Sequence, residues 1–266
     1  MDSQAKDDLS DFEATEFTAL GETKVVYRKG SGPGVVVMTE IPGITPEVAG
    51  FARKVVDLGC TVAMPDLFGE AGKPMTNPYA ASSLARACVS KEFHAFAVGR
   101  RSPVTDWLRA LARSLHEELG GPGVGAVGMC LTGGFALALM LDECMIAPVL
   151  SQPSLPLPVS GSRQRDLGIS DDDLRIVKER VEAGVCVLGM RFTEDPASPS
   201  QRFERLRDEL GDGFIGIEID SSKGNPYGNG KMALSVLTTD LVDVEGHPTR
   251  EALDQVMELF RDRLLA

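Results

Sequence analysis

Short apolar runs alternate with amphipathic helical patterns along most of the 266 residues. A strand that is apolar throughout is buried on both faces, which is typical of parallel sheets covered by helices on both sides. The sequence therefore predicts a doubly wound, mainly parallel α/β sheet. The predicted strands are Lys24–Arg28, Val35–Ile41, Thr61–Pro65, Gly125–Met129, Pro148–Gln152, Val185–Met190 and Phe214–Ile219. The predicted helices are Pro46–Leu58, Val104–Leu119, Phe135–Cys144, Asp171–Glu182, Pro199–Leu210 and Arg250–Leu264.

One segment departs from this alternation. Residues 69–103 begin with turn-forming residues and contain a helix-like stretch, Ala80–Phe96, in their middle. Such an insertion either covers a site as a cap or lies on the surface with its own helix, since loops tolerate long insertions. No linker divides the rest of the chain, so we expect residues 1–266 to form a single domain.

Charge and cysteine content argue against several classes of protein. The net charge of −12 arises from mixed acidic and basic residues, and aromatic residues are few, which argues against a nucleic-acid partner. Five widely spaced cysteines without a paired C-x-x-C motif predict neither a disulfide framework nor a metal site. No stretch approaches the roughly 18 apolar residues of a membrane span, and the first residues lack the pattern of a leader peptide. We expect a cytoplasmic monomer or homodimer that acts on a small molecule without a cofactor.

The stretch Val127–Gly134 predicts a buried strand, a sharp turn and then a helix. A reactive residue held in such a strained turn needs small neighbours two positions away, and Gly128 and Thr132 flank Cys130 in this way. At a helix start the Cys130 thiol would meet the positive end of the helix dipole, which favours thiolate. The Leu131 amide would form the first half of an oxyanion hole. The alternative is a structural cysteine at a tight crossing.

A carboxylate follows a later predicted strand. Asp195 lies in a turn-forming loop after Val185–Met190 and directly precedes Pro196. Ligands and catalytic groups gather at the carboxyl ends of strands in doubly wound sheets, so Asp195 is the predicted acid partner of the site. The alternative is that Asp195 only shapes the turn, as aspartate commonly does.

These segments resemble the dienelactone hydrolase family, the branch of the α/β-hydrolases with a cysteine nucleophile. The resemblance covers nearly the whole chain and rests on Val35–Gly43, Met64–Gly69, the turn around Cys130 and the Asp195 loop. It implies a sheet of the α/β-hydrolase type with a helical cap-like insertion at 69–103.

The resemblance also implies that Glu40 controls the ionisation of Cys130 and that the Ile41 amide completes the oxyanion hole. A carboxylate beside a thiol raises the pKa of the thiol, so Glu40 would keep the Cys130 thiol protonated until substrate arrives. The alternative is that Glu40 is a solvated loop carboxylate.

The position of the general base is left open between two interpretations. In this fold a histidine follows the acid, and His247 is the one histidine after Asp195. The resemblance, however, implies His-Ser-Val-Leu-Thr where this chain reads Leu234-Ser235-Val236-Leu237-Thr238, so Leu234 would replace the catalytic histidine. His247 would then lie at the start of the last helix, with Thr249 as its N-cap.

Three residues of the cap segment are further candidates for the substrate-binding site. His94 could approach from the cap and act as the base, although a lone histidine there is more often structural. The resemblance implies arginines that bind a substrate carboxylate through two parallel hydrogen bonds, and Arg100 and Arg101 are the candidates. Ordinary surface arginines are the alternative.

Two functions agree with these residues. In the first, which the sequence favours, a hydrolase uses Cys130 to attack a lactone, ester or thioester, while the amides of Ile41 and Leu131 hold the oxyanion. In the second, the chain is a non-hydrolytic relative, either a cyclase, isomerase or acyl-transfer enzyme in biosynthesis or a ligand-binding protein without activity. The ligand-binding interpretation predicts that Leu234 lines an apolar pocket beside Cys130.

Overall fold

The computed structural model describes residues 5–89 and 102–266. Within these ranges eight strands form one sheet in the order β1-β2-β4-β3-β5-β6-β7-β8. Strands β3 to β8 run parallel to one another, while β2 is antiparallel to both β1 and β4. The strands are β1 (Glu13–Ala19), β2 (Glu22–Lys29), β3 (Gly34–Met38), β4 (Thr61–Pro65), β5 (Val124–Met129), β6 (Met145–Ser151), β7 (Val187–Phe192) and β8 (Phe214–Ile219).

Helices connect the parallel strands and cover both faces of the sheet. They are α1 (Pro46–Asp57), α2 (Asn77–Val89), α3 (Pro103–Leu119), α4 (Phe135–Leu139), α5 (Gly161–Gln164), α6 (Asp171–Glu182), α7 (Ser200–Leu210) and α8 (Pro248–Phe260). Alternate side chains of β3 show the two-sided burial: Val36 and Met38 join the cluster around Trp107, and Val35 and Val37 join the cluster around Phe51. The predicted doubly wound α/β sheet is confirmed.

Strand β1 was not predicted, because it lies at the sheet edge and is not apolar throughout. Its residues alternate between exposed and half-buried positions, whereas β3, β4 and β5 are buried at every position. The apolar-run criterion detects strands that are buried on both faces and misses such an edge strand.

Two predicted boundaries in the middle of the chain are wrong by several residues. The helix predicted over Phe135–Cys144 ends as α4 at Leu139, and turns follow, with the Asp142 amide bonded to the Leu139 carbonyl. Arg109 and Arg113 of α3 bind the Asp142 carboxylate and hold this turn in place. As a result β6 begins earlier than predicted, at Met145.

The insertion contains α2, which begins at Asn77 rather than at Ala80. The later part of the predicted cap helix, together with His94, Arg100 and Arg101, lies outside the described residues. None of the helices in the two described ranges combines the length and apolarity needed to cross a membrane.

Candidate active site

The turn after β5 holds Cys130 in a left-handed conformation with φ 55°. A Cβ atom at Gly128 would lie 2.2 Å from the Thr132 carbonyl oxygen, and one at Gly133 would lie 2.5 Å from the Pro153 Cα. Both positions therefore require glycine for close approach of the backbone. A left-handed, non-glycine residue is strained and persists where its surroundings fix it, as at a nucleophile elbow.

Thr132 connects this elbow to the end of β3. Its hydroxyl donates to the Met38 carbonyl at 2.9 Å and accepts a hydrogen bond from the Met129 amide at 2.9 Å. Both bonds are buried, so they resist competition from water. The position of Glu40, two residues beyond Met38, is thereby fixed relative to the elbow.

Glu40 is 4% exposed, so it is not a solvated loop carboxylate. Its carboxylate accepts hydrogen bonds from the Gln152 amide at 3.1 Å, from the Ser235 hydroxyl at 2.7 Å and from the Thr238 hydroxyl. Burial raises the pKa of the Glu40 carboxyl, and the hydrogen bonds from Thr238, Ser235 and Gln152 oppose that rise. The group can therefore hold or release a proton within a polar network.

Cys130 is a half-buried residue, and its thiol lies beside the Ser154 hydroxyl, with 3.4 Å between Sγ and Oγ. Burial raises its pKa to about 11, and the charges of Glu40 and Asp195 add to that rise, whereas the Ser154 hydroxyl and the Leu131 backbone oppose it. The helix start was expected to favour thiolate, whereas burial and the two carboxylates act in the opposite direction. Helix α4 has five residues and begins at Phe135, five positions after Cys130.

Asp195 follows β7 and is 3% exposed. Its Oδ1 accepts a hydrogen bond from the Ala197 amide at 2.8 Å, so the residue does shape the turn. Burial raises the pKa of its carboxyl, while backbone hydrogen bonds and the charges of Arg191 and Arg202 lower it. Its influence on the Cys130 pKa indicates that it also lies within electrostatic reach of the thiol.

The two predicted oxyanion-hole residues pack against one hydrophobic cluster. Leu131 is 4% exposed, and its backbone amide interacts with the Cys130 sulfur. Ile41 directly follows Glu40 and is half-buried against the same cluster as Leu131. Their roles as oxyanion donors stay predictions.

The segment after β8 reaches the same site through Ser235 and Thr238, which bind Glu40. Leu234 lies beside this contact, and its amide donates to the Asp240 carboxylate at 2.8 Å. Leu234 is 37% exposed, so it lies outside the buried core, and its place in an apolar pocket stays a prediction. The structure thus brings position 234 to the edge of the site, with an aliphatic side chain.

His247 is the N-cap of α8, in place of the predicted Thr249. Its Nδ1 accepts a hydrogen bond from the Thr249 amide at 3.3 Å, and its Nε2 lies 3.4 Å from the Tyr227 carbonyl oxygen. Within residues 5–89 and 102–266, no hydrogen bond joins His247 to Cys130 or Asp195. The structure therefore does not assemble a triad from His247.

Four polar residues of the site were not predicted: Gln152, Ser154, Ser235 and Thr238. The signal for the first two is present in Ser151-Gln152-Pro153-Ser154, a polar stretch directly after β6 at the carboxyl edge of the sheet. Among the described side chains, no three histidine, cysteine, aspartate or glutamate residues form a group that could hold a metal ion.

The parallel sheet, the left-handed cysteine after a central strand and the carboxylate after β7 define an α/β-hydrolase fold. The model of the dienelactone hydrolase family matches residues 22–151, and this match confirms the predicted resemblance of the chain to that family. The carboxymethylenebutenolidase of Rhodococcus opacus is 31% identical over 108 residues, which are 41% of this chain. The match spans 38% of the length of that relative.

Solved structures agree with the fold over nearly the whole chain. A dienelactone hydrolase-like promiscuous phosphotriesterase from metagenomic libraries has a TM-score of 0.59 at 17% identity, covering 95% of this chain and 98% of its own. Dienelactone hydrolase from Anabaena variabilis has a TM-score of 0.56 at 15% identity, with coverage of 95% and 98%. At these identities the likeness establishes the fold.

Proposed function

We propose that this chain is a hydrolase of the dienelactone hydrolase type, which opens a lactone, ester or thioester through Cys130. The observation that carries the proposal is the strained, left-handed Cys130 at the end of β5, with Glu40 and Asp195 near it at the ends of β3 and β7. The matches to the family model and to the Rhodococcus opacus enzyme support the same reaction class.

The reaction begins with transfer of the Cys130 thiol proton to the Glu40 carboxylate. The new thiolate attacks the substrate carbonyl carbon, and the amides of Leu131 and Ile41 stabilise the oxyanion. The intermediate then collapses, the carbon–oxygen or carbon–sulfur bond to the leaving group breaks, and the leaving group takes the proton from Glu40. The product of this half-reaction is an acyl thioester on Cys130.

Water hydrolyses the thioester in the second half-reaction. General-base help to such a step is typically worth about 10²- to 10⁴-fold, and in the described part of the chain no imidazole contacts Asp195. Deacylation is therefore the slower half-reaction in this proposal. Glu40, which holds no proton after the leaving group departs, accepts one from the attacking water. It passes this proton to the Cys130 sulfur as the carbon–sulfur bond of the thioester breaks and the acid product leaves. His94, Arg100 and Arg101 stay candidates for binding the substrate from the insertion.

Intact-mass spectrometry with parallel detection of product tests the proposal. Wild type, Cys130→Ala and Cys186→Ala are each mixed with an activated aryl ester, an aryl thioester and a simple lactone. Cys186→Ala is the control, because Cys186 is also partly buried but precedes β7 at the opposite edge of the sheet.

Product release with a transient adduct in wild type and Cys186→Ala, and neither in Cys130→Ala, is the expected result. An adduct that persists without turnover would contradict hydrolysis and favour an acyl-transfer role. Absence of both adduct and product with all three substrates would contradict a nucleophilic role of Cys130.

A further inference from the structure

We propose that Ser154 is a catalytic residue, whose hydroxyl donates a hydrogen bond to the Cys130 sulfur and stabilises the thiolate during attack. The proposal rests on the proposed nucleophilic role of Cys130 and adds to it the group that receives the developing charge on sulfur. The Ser154 proton stays on Oγ throughout, so the proton of the thiol still moves to Glu40.

The first argument is the geometry of the contact. Ser154 Oγ lies 3.4 Å from Cys130 Sγ, and Ser154 is 2% exposed. A serine hydroxyl carries one hydrogen that rotates toward the available acceptor. Across the described residues, the sulfur is the one hydrogen-bonding partner of this hydroxyl. A buried hydroxyl with a single partner directs its hydrogen to that partner, because an unmade hydrogen bond is costly.

The second argument is that the loop carrying Ser154 is fixed in place. The Ser154 amide donates to the Cys130 carbonyl oxygen at 3.0 Å. Arg202 of α7, which is 1% exposed, donates to the carbonyl oxygens of Pro153 at 2.5 Å and Pro156 at 2.6 Å. A buried guanidinium thus binds the backbone on both sides of Ser154. Positioning by rigid partners is what a catalytic hydrogen bond requires.

The third argument is electrostatic. Glu40 and Asp195 both oppose ionisation of Cys130, and the groups that favour it are the Ser154 hydroxyl and the Leu131 backbone. In the proposed reaction the Leu131 amide donates to the substrate oxyanion. The Ser154 hydroxyl then continues to donate to the sulfur during attack. Position 234 is leucine, so its side chain cannot stabilise the thiolate as an imidazolium would.

The test measures thiolate reactivity without any substrate. Iodoacetamide alkylates the thiolate and releases iodide, so its rate at pH 8 follows the ionised fraction of Cys130. Peptide mass spectrometry reports alkylation at Cys130 and, in the same sample, at Cys186 as an internal reference. The variants are Ser154→Ala and the shape-matched pair Ser154→Thr and Ser154→Val, which differ in the hydroxyl.

The control variant is Ser83→Ala. Ser83 is also buried, but its hydroxyl has no hydrogen-bond partner among the described residues. We expect Ser154→Ala to slow alkylation of Cys130 about threefold to tenfold, since the net contribution of a typical hydrogen bond has this magnitude. Ser154→Thr should react faster than Ser154→Val by a similar factor, and Ser83→Ala should match wild type.

Equal alkylation rates in Ser154→Thr and Ser154→Val overturn the inference, whatever the hydrolysis assays give. This comparison does not depend on Ser154→Ala, because the two branched side chains have nearly the same volume and differ in the hydroxyl that the inference concerns. If the hydroxyl raises the rate but no variant forms an acyl adduct, Ser154 keeps its role toward the sulfur and the hydrolase proposal fails.

Discussion

The elbow after β5 and the segment after β8 border the same carboxylate, Glu40, but they differ in what they supply. The elbow supplies both its fixed backbone and a reactive group, Cys130. The other segment supplies two hydrogen bonds, from Ser235 and Thr238, while Leu234 stands where the family resemblance implies a histidine. The hydrogen bonds that position Glu40 are therefore separate from the imidazole that would transfer protons, and the first are present without the second.

The largest expected effect comes from placing a proton acceptor in the segment after β8, at position 234. Leu234→His places an imidazole at the edge of the site, beside the contacts to Glu40. We expect the release of product from an aryl ester to rise about 10²- to 10⁴-fold, the usual value of a general base. Single-turnover kinetics at pH 7 measure the change.

Met232→His is the matched control for this substitution, because Met232 belongs to the same segment and is 80% exposed. Product release at the wild-type rate in Leu234→His, from a folded protein, would show that position 234 does not reach the acyl group.

The next effect tests how strictly the elbow is fixed. Gly128→Ala would place a Cβ atom 2.2 Å from the Thr132 carbonyl oxygen, so the backbone of the turn has to move. We expect the free energy of unfolding to fall by about 3 kcal/mol, as for overpacked sites. Urea unfolding measures it. Gly230→Ala is the control, since a Cβ there meets nothing within 4 Å, and its stability should stay near that of wild type.

A smaller effect separates the hydrogen bonds of the Glu40 side chain from the effect of its charge on the Cys130 pKa. Glu40→Gln keeps a hydrogen-bonding side chain but removes the charge that raises the Cys130 pKa, so this pKa should fall below its value of about 11. Iodoacetamide should therefore alkylate Cys130 faster at pH 8, by about tenfold for each unit by which the pKa falls. Glu16→Gln on exposed β1 serves as the control. A slower reaction would reverse the proposed sign of the interaction.

The smallest effect concerns His247, at the end of the segment that follows β8. His247→Ala removes an N-cap side chain from α8, which should lower the free energy of unfolding by about 1 kcal/mol. Acylation of Cys130 should not change, because the imidazole binds Thr249 and the Tyr227 carbonyl instead. Urea unfolding and intact-mass kinetics measure the two quantities. A large loss of acylation or turnover in a folded variant would return His247 to the general-base role.

Local patterns in the sequence predicted the part of the fold that is buried on both faces. β4 begins and ends where its apolar run does, and α6 matches its predicted bounds, because burial leaves a periodic signature. The edge strand β1 was missed, and the end of the short α4 was predicted five residues too late, at Cys144 instead of Leu139. Half-burial weakens the pattern of β1, and the turn that ends α4 is held by Arg109 and Arg113 from another helix.

The site divides in the same way. Cys130, Glu40 and Asp195 lie one, two and three residues beyond the ends of apolar strands, so the strand pattern and the family resemblance together led to them. Ser154 was missed because its contact with the thiol depends on a loop that Arg202 holds from α7, far away in sequence. The Cys130 pKa likewise depends on burial by the assembled chain rather than on the helix that follows it.

The high pKa of Cys130 also bears on how long the residue survives unmodified. Peroxides oxidise thiolates rather than thiols, first to sulfenic acid and then irreversibly to sulfinic and sulfonic acids. A thiol with a pKa of about 11 is almost wholly protonated at neutral pH. Burial of the proposed nucleophile, together with the two nearby carboxylates, therefore protects its sulfur from oxidation in the absence of substrate and lowers its reactivity in that state.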